Sequence, residues 1–135
     1  MRPGPGVLDT SVVILLDQLD ADADLPEEPL ITAVTLAELS VGPLITDDDS
    51  ERALRQARLQ VTEATFEPIP FDAPAARAFG RVAAELRGSG RRTKARSFDA
   101  MIAATAVSRN LPIFTANEDD FNGIGGLEVV PIRAH

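Results

Sequence analysis

The chain has no cysteine, tryptophan or tyrosine, and its one histidine is the last residue, His135. Without cysteine there are no disulfides, no thiolate nucleophile and no zinc–cysteine site. A histidine at the terminus makes a poor buried base, which excludes a Ser-His-Asp triad. Neither GxGxxG nor GxxxxGK[ST] occurs, so the usual phosphate-cradling loops are missing; Gly123-Ile124-Gly125-Gly126 precedes a strand and reads as a turn. No apolar run approaches the ~18 residues a membrane span needs; the longest, Val12 to Leu16, reads as a helix face. The amino terminus offers one Arg, then Pro and Gly, with no apolar signal core. A cytoplasmic protein without membrane contact is the expectation. Any chemistry then falls to carboxylates, hydroxyls, arginine or a metal held by oxygen.

What is present fits one soluble domain spanning residues 1–135. Hydrophobic residues make up 44% and charged residues 25%, an ordinary globular balance able to bury a single sizeable core. The net charge is −8, unevenly spread. Residues 72–109 carry three acids and eight bases, a local +5 against −13 elsewhere. Global acidity argues against non-specific coating of nucleic acid. A basic strip can still make phosphate contacts, and Arg91, Arg92, Lys94 and Arg96 are its centre.

Hydrophobic periodicity predicts strands separated by helices. Val7-Leu8 reads as a strand stopping at Asp9, followed by a helix carrying Val12, Leu15, Leu16 and Leu19 and capped by Thr10 or Ser11. Leu30 to Val34 has strand composition, and Thr35 opens a short helix through Leu39. A helix from Asp47–Ser50 onward has Leu54, Ala57, Val61 and Ala64 on one face. Glu67 to Phe71 reads as a Pro-interrupted edge strand. Asp72-Ala73-Pro74 caps the next helix; a basic loop follows, and Ser97 caps a helix through Arg109. Leu111–Thr115 and Leu127–Ile132 complete the strands. The alternation predicts an α/β fold: a central, mostly parallel sheet with helices on both faces and sites at the carboxyl ends of its strands.

Acids gather at those ends. Asp9 follows the first strand, and Asn117, Glu118, Asp119 and Asp120 follow the strand ending at Thr115. Each also has a plain structural role: Asp9 as a turn residue or cap, the later group as a solvated corner. Glu38 completes a Thr35-x-x-Glu38 capping box. Asp99 suits a helix's first turn, yet its spacing places it beside Ile102, Ala103 and Ala106. A carboxylate leaning onto that apolar side calls for a counter-charge, and a hard cation such as Mg²⁺ accepts oxygen ligands of this kind.

Asp9-Thr10-Ser11 after a short strand, Glu38 within TLAEL, and Asp99 within SFDAMIAATAVSRNLPIFTANEDDF together resemble a PIN-domain ribonuclease. The small size is similar to the VapC-type toxins of bacterial toxin–antitoxin pairs. The resemblance implies a three-layer α/β/α fold and an endoribonuclease dependent on Mg²⁺ or Mn²⁺. It also implies a homodimer inhibited by a cognate VapB-type antitoxin. Asp9, Glu38 and Asp99 match the three core acids of the family. Asn117 occupies the slot of the fourth, so Asp119 or Asp120 is the candidate replacement there, as catalytic group or ligand. Thr10, Ser11 and Thr115 would be hydroxyl supports, and Arg91, Arg92, Lys94 and Arg96 the RNA-backbone contacts. Two rival readings stay open. A receiver-like phosphoacceptor needs a Lys at a strand end, and the sole Lys94 lies in the basic loop; a non-catalytic binding module of the same fold would account for Asn117.

Overall fold

A computed structural model describes residues 4–88 and 94–133. Four short strands, β1 (Pro5–Leu8), β2 (Glu28–Leu30), β3 (Ile113–Thr115) and β4 (Val129–Pro131), form one parallel sheet in the order β2-β1-β3-β4. Among the described residues, six α-helices accompany them: α1 (Thr10–Leu15), α2 (Ala21–Asp24), α3 (Ala33–Val41), α4 (Asp49–Thr65), α5 (Ala73–Gly88) and α6 (Lys94–Ser108). The chain leaves β1 for β2 on one side and later returns to β3 on the other. The crevice beyond the carboxyl ends of β1 and β3 is therefore the point where strand order reverses, the usual ligand position in such sheets.

The pleat sends successive side chains to opposite faces. Val7 and its register partner Ile113 enter one core with Val82, Leu86, Ile102 and Ala106 from α5 and α6. Leu8 and its partner Phe114 enter a second core with Val12 and Val13 of α1 and Leu39 of α3. Two cores on two faces make the three layers expected from the alternation. Gly6 is needed for β1 to lie this close to the sheet centre, because a Cβ there would stand 2.5 Å from a ring carbon of Phe114.

Local departures from the sequence reading have physical reasons. The strand drawn over Leu30–Val34 ends at Leu30, because extended Thr32 turns the chain into α3 and its Oγ1 accepts from the Thr35 amide at 3.3 Å. Glu67–Phe71 contributes one bridge, Thr32 to Ile69, since Pro68 and Pro70 have no amide to extend a ladder. Helix α6 begins at Lys94 rather than at Ser97, which places Asp99 past its first turn.

Helix α4 is rotated from the expected face. Leu54 and Val61 are 61% and 64% exposed, whereas Leu59 and Phe66 pack against the second core. Polar tethers hold that rotation: Arg52 Nε donates to Pro43 O at 3.2 Å and Arg55 Nη1 to Gly42 O at 2.9 Å.

Candidate active site

Asp9 stands at the carboxyl end of β1, nearly buried. Of the capping residues the sequence offers, Asp9 rather than Thr10 or Ser11 caps α1: its Oδ1 accepts from the Val12 amide at 3.1 Å. An extended Asp at this position satisfies one orphan amide of the helix. The same oxygen accepts from Ser11 Oγ at 2.6 Å, and Oδ2 accepts from Thr115 Oγ1 at the end of β3. The supporting hydroxyls are themselves fixed, Ser11 Oγ by the Ala116 amide at 3.1 Å and Thr115 Oγ1 by the Asn117 amide at 2.9 Å. Two adjacent strand ends are thus tied together through one carboxylate.

Glu38 comes from α3, where the capping box does not form. Thr32 is the N-cap, so Glu38 lies deeper in the helix and its carboxylate turns to α1 instead. Thr10 Oγ1 donates to Glu38 Oε1 at 2.7 Å, and the Thr10 and Thr35 hydroxyls lie 3.2 Å apart in the buried layer beneath. Thr35 was not singled out as a support; a threonine one turn before Glu38 on the same helix was the available signal.

Beyond β3, the 3₁₀ turn Glu118–Phe121 separates its three acids. Glu118 pairs with Arg133 at 2.8 Å, and Asp119 is exposed and accepts from Asn122 Nδ2 at 3.1 Å. Asp120 is half-buried and close enough for its charge to act on Asp9. Asn117 is exposed and contributes its backbone amide. Of the two candidate replacements for the fourth acid, Asp120 is the one whose charge acts on Asp9, while Asp119 is exposed and bonded to Asn122. Asp99 is partly buried on α6, next in sequence to Phe98, which lines a pocket shared with Thr10 and Glu38. Arg91 and Arg92 lie outside the described residues, as do the side chains of Lys94 and Arg96.

The electrostatics are those of crowded acids. Burial raises the Asp9 pKa above its ordinary 3.8, the hydroxyl and amide donors offset part of that rise, and the Asp120 charge adds to it. Glu38 is raised above 4.5 by burial and by the charge of Asp9, with Thr10 opposing. Among the described residues, no three acids or histidines form a ready-made cage for a metal. Asp9 and Glu38 offer carboxylate oxygens, the donor type a hard divalent cation takes.

These shifts fix the sign of a pH dependence. An acid whose pKa is higher in the folded than in the unfolded chain stabilises the fold below its unfolded pKa, and that contribution is lost as pH rises through the folded value. The metal-free protein should lose stability as pH rises from about 3.8 upward through the raised Asp9 and Glu38 values. Urea titrations in a chelator should show a shallower decline in that window for Asp9→Asn. An equal or steeper decline in the variant would contradict the assignment.

Comparison with known proteins accords with this geometry. The PIN-domain family model matches residues 6–127. The chain is 44% identical over 133 residues to ribonuclease VapC5 of Mycobacterium tuberculosis, covering 96% of this chain and 95% of the relative. Ribonuclease VapC8 of the same species is 37% identical over 76% of this chain and 91% of its own length. In structure, the chain is similar to the M. tuberculosis VapBC-5 toxin–antitoxin crystal structure, with a TM-score of 0.80 and 41% identity over 96% of this chain and all of that one. The fold recurs in VapBC2 of Rickettsia felis, at TM-score 0.74 and 21% identity over 96% of this chain and 99% of that one. The chain belongs to the PIN-domain family, on its VapC ribonuclease branch.

Proposed function

We propose that the chain is the toxin of a type II toxin–antitoxin pair, an endoribonuclease that hydrolyses RNA phosphodiester bonds with Mg²⁺ or Mn²⁺. The observation that carries the reading is buried Asp9 at the strand-order reversal, held by Ser11 and Thr115 and close enough to Asp120 and Glu38 for their charges to interact. Two unit charges 4 Å apart at an effective dielectric near 20 repel by roughly 4 kcal/mol, so such a cluster favours a bound cation. A toxin role and antitoxin inhibition follow from the kinship with the VapC ribonucleases and the VapBC-5 structure. A homodimer belongs to the same proposal.

In this reading Asp9 and Asp99 hold the ion, Glu38 positions water or a second ion, and Asp120 supplies the charge that Asn117 lacks. When bound, the ion supplies Lewis-acid polarisation of the scissile phosphate and a water of lowered pKa. The rest is done by this chain's side chains. Ser11 and Thr115 hold the Asp9 carboxylate in one orientation. Thr10 engages one oxygen of Glu38, leaving Oε2 to orient the attacking water and take its proton. Arg91, Arg92, Lys94 and Arg96 contact the RNA backbone, positioning the strand without specifying its sequence.

Labelled RNA incubated with the protein should be cut in Mg²⁺ or Mn²⁺ and left intact in a chelator. Cutting that persists in the chelator would defeat the proposal. Calorimetric titration with Mn²⁺ should show weaker binding for Asp120→Asn, by roughly tenfold or more, and little change for Asp119→Asn. The reverse ranking would move the fourth acid to Asp119.

A further inference from the structure

Beside the carboxylates lies a pocket of about 440 Å³, within the roughly 300–1,000 Å³ range of small-ligand sites. Thr10 and Glu38 form part of its wall, so it is continuous with the candidate active site. The remaining wall divides into two kinds of surface. Ile14, Leu39, Val41, Ile45 and Phe98 make it apolar and aromatic, while α4 lines it with Arg55, Arg58 and Glu51, the last paired with Arg55.

The two arginines are not equivalent. Arg55 is committed: Nε pairs with Glu51 at 3.0 Å and Nη1 donates to Gly42 O at 2.9 Å. Arg58 is half-buried as a residue, and its side chain makes no hydrogen bond or ion pair among the described residues. A guanidinium carries five donors in a planar fork, and those of Arg58 are not taken up by an acceptor among the described residues. Phosphate matches that fork with two parallel bonds. A negatively charged chain with net charge −8 needs such local cations wherever it is to hold a polyanion.

We infer that this pocket seats the RNA nucleotide next to the scissile bond, its base against the apolar wall and its phosphate on Arg58. The inference rests on the ribonuclease reading above and gives it a substrate path: scissile phosphate at the carboxylates, neighbouring nucleotide between α1, α3 and α4. Helix rotation makes this possible, because the turn of α4 that exposes Leu54 and Val61 carries Arg55 and Arg58 into the pocket.

The test uses the full chain in an Asp9→Asn background, so that the probe survives. The probe is a fluorescein-labelled pool of mixed-sequence single-stranded RNA 12-mers, followed by anisotropy across a KCl series without divalent metal. Adding Arg58→Met, which keeps the apolar stem, should weaken binding about tenfold, the loss of one charge-assisted contact. The slope of log affinity against log salt should flatten by about 0.7. Arg58→Lys should restore that slope and most of the affinity, and a thermal melt of each variant checks that the fold is kept. Unchanged affinity and slope in Arg58→Met overturn the inference. So does unchanged RNA binding with lost co-purification of a protein co-expressed from the adjacent reading frame, which assigns the pocket to a protein segment. A chain with intact Asp9 that cuts no RNA in Mg²⁺ or Mn²⁺, while the Asp9→Asn series shows the Arg58 dependence, leaves the nucleotide seat standing and removes the ribonuclease reading.

Discussion

Asp9→Asn should reduce metal-dependent RNA cleavage by at least about a hundredfold. Changes in the outer shell of a metal site typically cost 10–100-fold in affinity or activity, and Asp9 is the carboxylate on which the hydroxyl network of this site converges. The fold should survive the change. Asn is as good an N-cap as Asp, so the bond from the Val12 amide has an oxygen to accept it. A desolvated charge facing Asp120 and Glu38 is removed at the same time. Metal-free stability is therefore expected to be unchanged or raised, and denaturation in a chelator beside a single-turnover cleavage assay separates the two effects. Full activity in the variant would exclude Asp9 from the reaction. A large loss of metal-free stability would instead make it a structural cap.

Phe121→Ala should be the most damaging single truncation in the turn after β3. Phe121 is 1% exposed and packs into the core shared with Ile102, Ala103 and Ile113. Removing a buried Phe side chain costs about 3–5 kcal/mol through lost transfer energy and the cavity left behind, a large share of the ~5–15 kcal/mol that holds a domain folded. The urea midpoint should fall accordingly with little change in slope. Leu44→Ala is the matched control: Leu44 is 84% exposed, and such surface changes usually stay within ±0.5 kcal/mol. Because Asp120 precedes Phe121, metal affinity should fall in Phe121→Ala even where the variant remains folded. Retention of the wild-type midpoint would mean that the turn is not anchored through this ring.

Elimination and periodicity were legible without coordinates. The lack of Cys, Trp and Tyr, with a terminal His, confined any chemistry to oxygen donors and arginine. Apolar alternation placed Asp9 and Thr115 just beyond and at strand ends, and short strands flanked by helical patterns predicted the parallel, three-layer arrangement that the sheet order has. These features are local: a side chain's identity and its distance along the chain from a strand end are properties of a few consecutive residues.

What only the tertiary structure decided depends on groups far apart in sequence. Whether Glu38 closes a capping box or receives the Thr10 hydroxyl turns on where α3 begins, and that was settled by Thr32 in an extended conformation with a bridge to Ile69. Asp9 accepts from Thr115, 106 residues away, because β1 and β3 are neighbours, which no local pattern states. Asp119 and Asp120 are indistinguishable as sequence. A 3₁₀ turn carrying buried Phe121 leaves Asp120 half-buried with its charge acting on Asp9, and Asp119 exposed and bonded to Asn122. Helix α4 has an apolar stripe that periodicity assigns to the core, yet carbonyl tethers from Arg52 and Arg55 and the packing of Leu59 and Phe66 turn it outward. Composition and spacing set which chemistry the chain can carry; the packing of distant elements set which oxygen and which guanidinium face it.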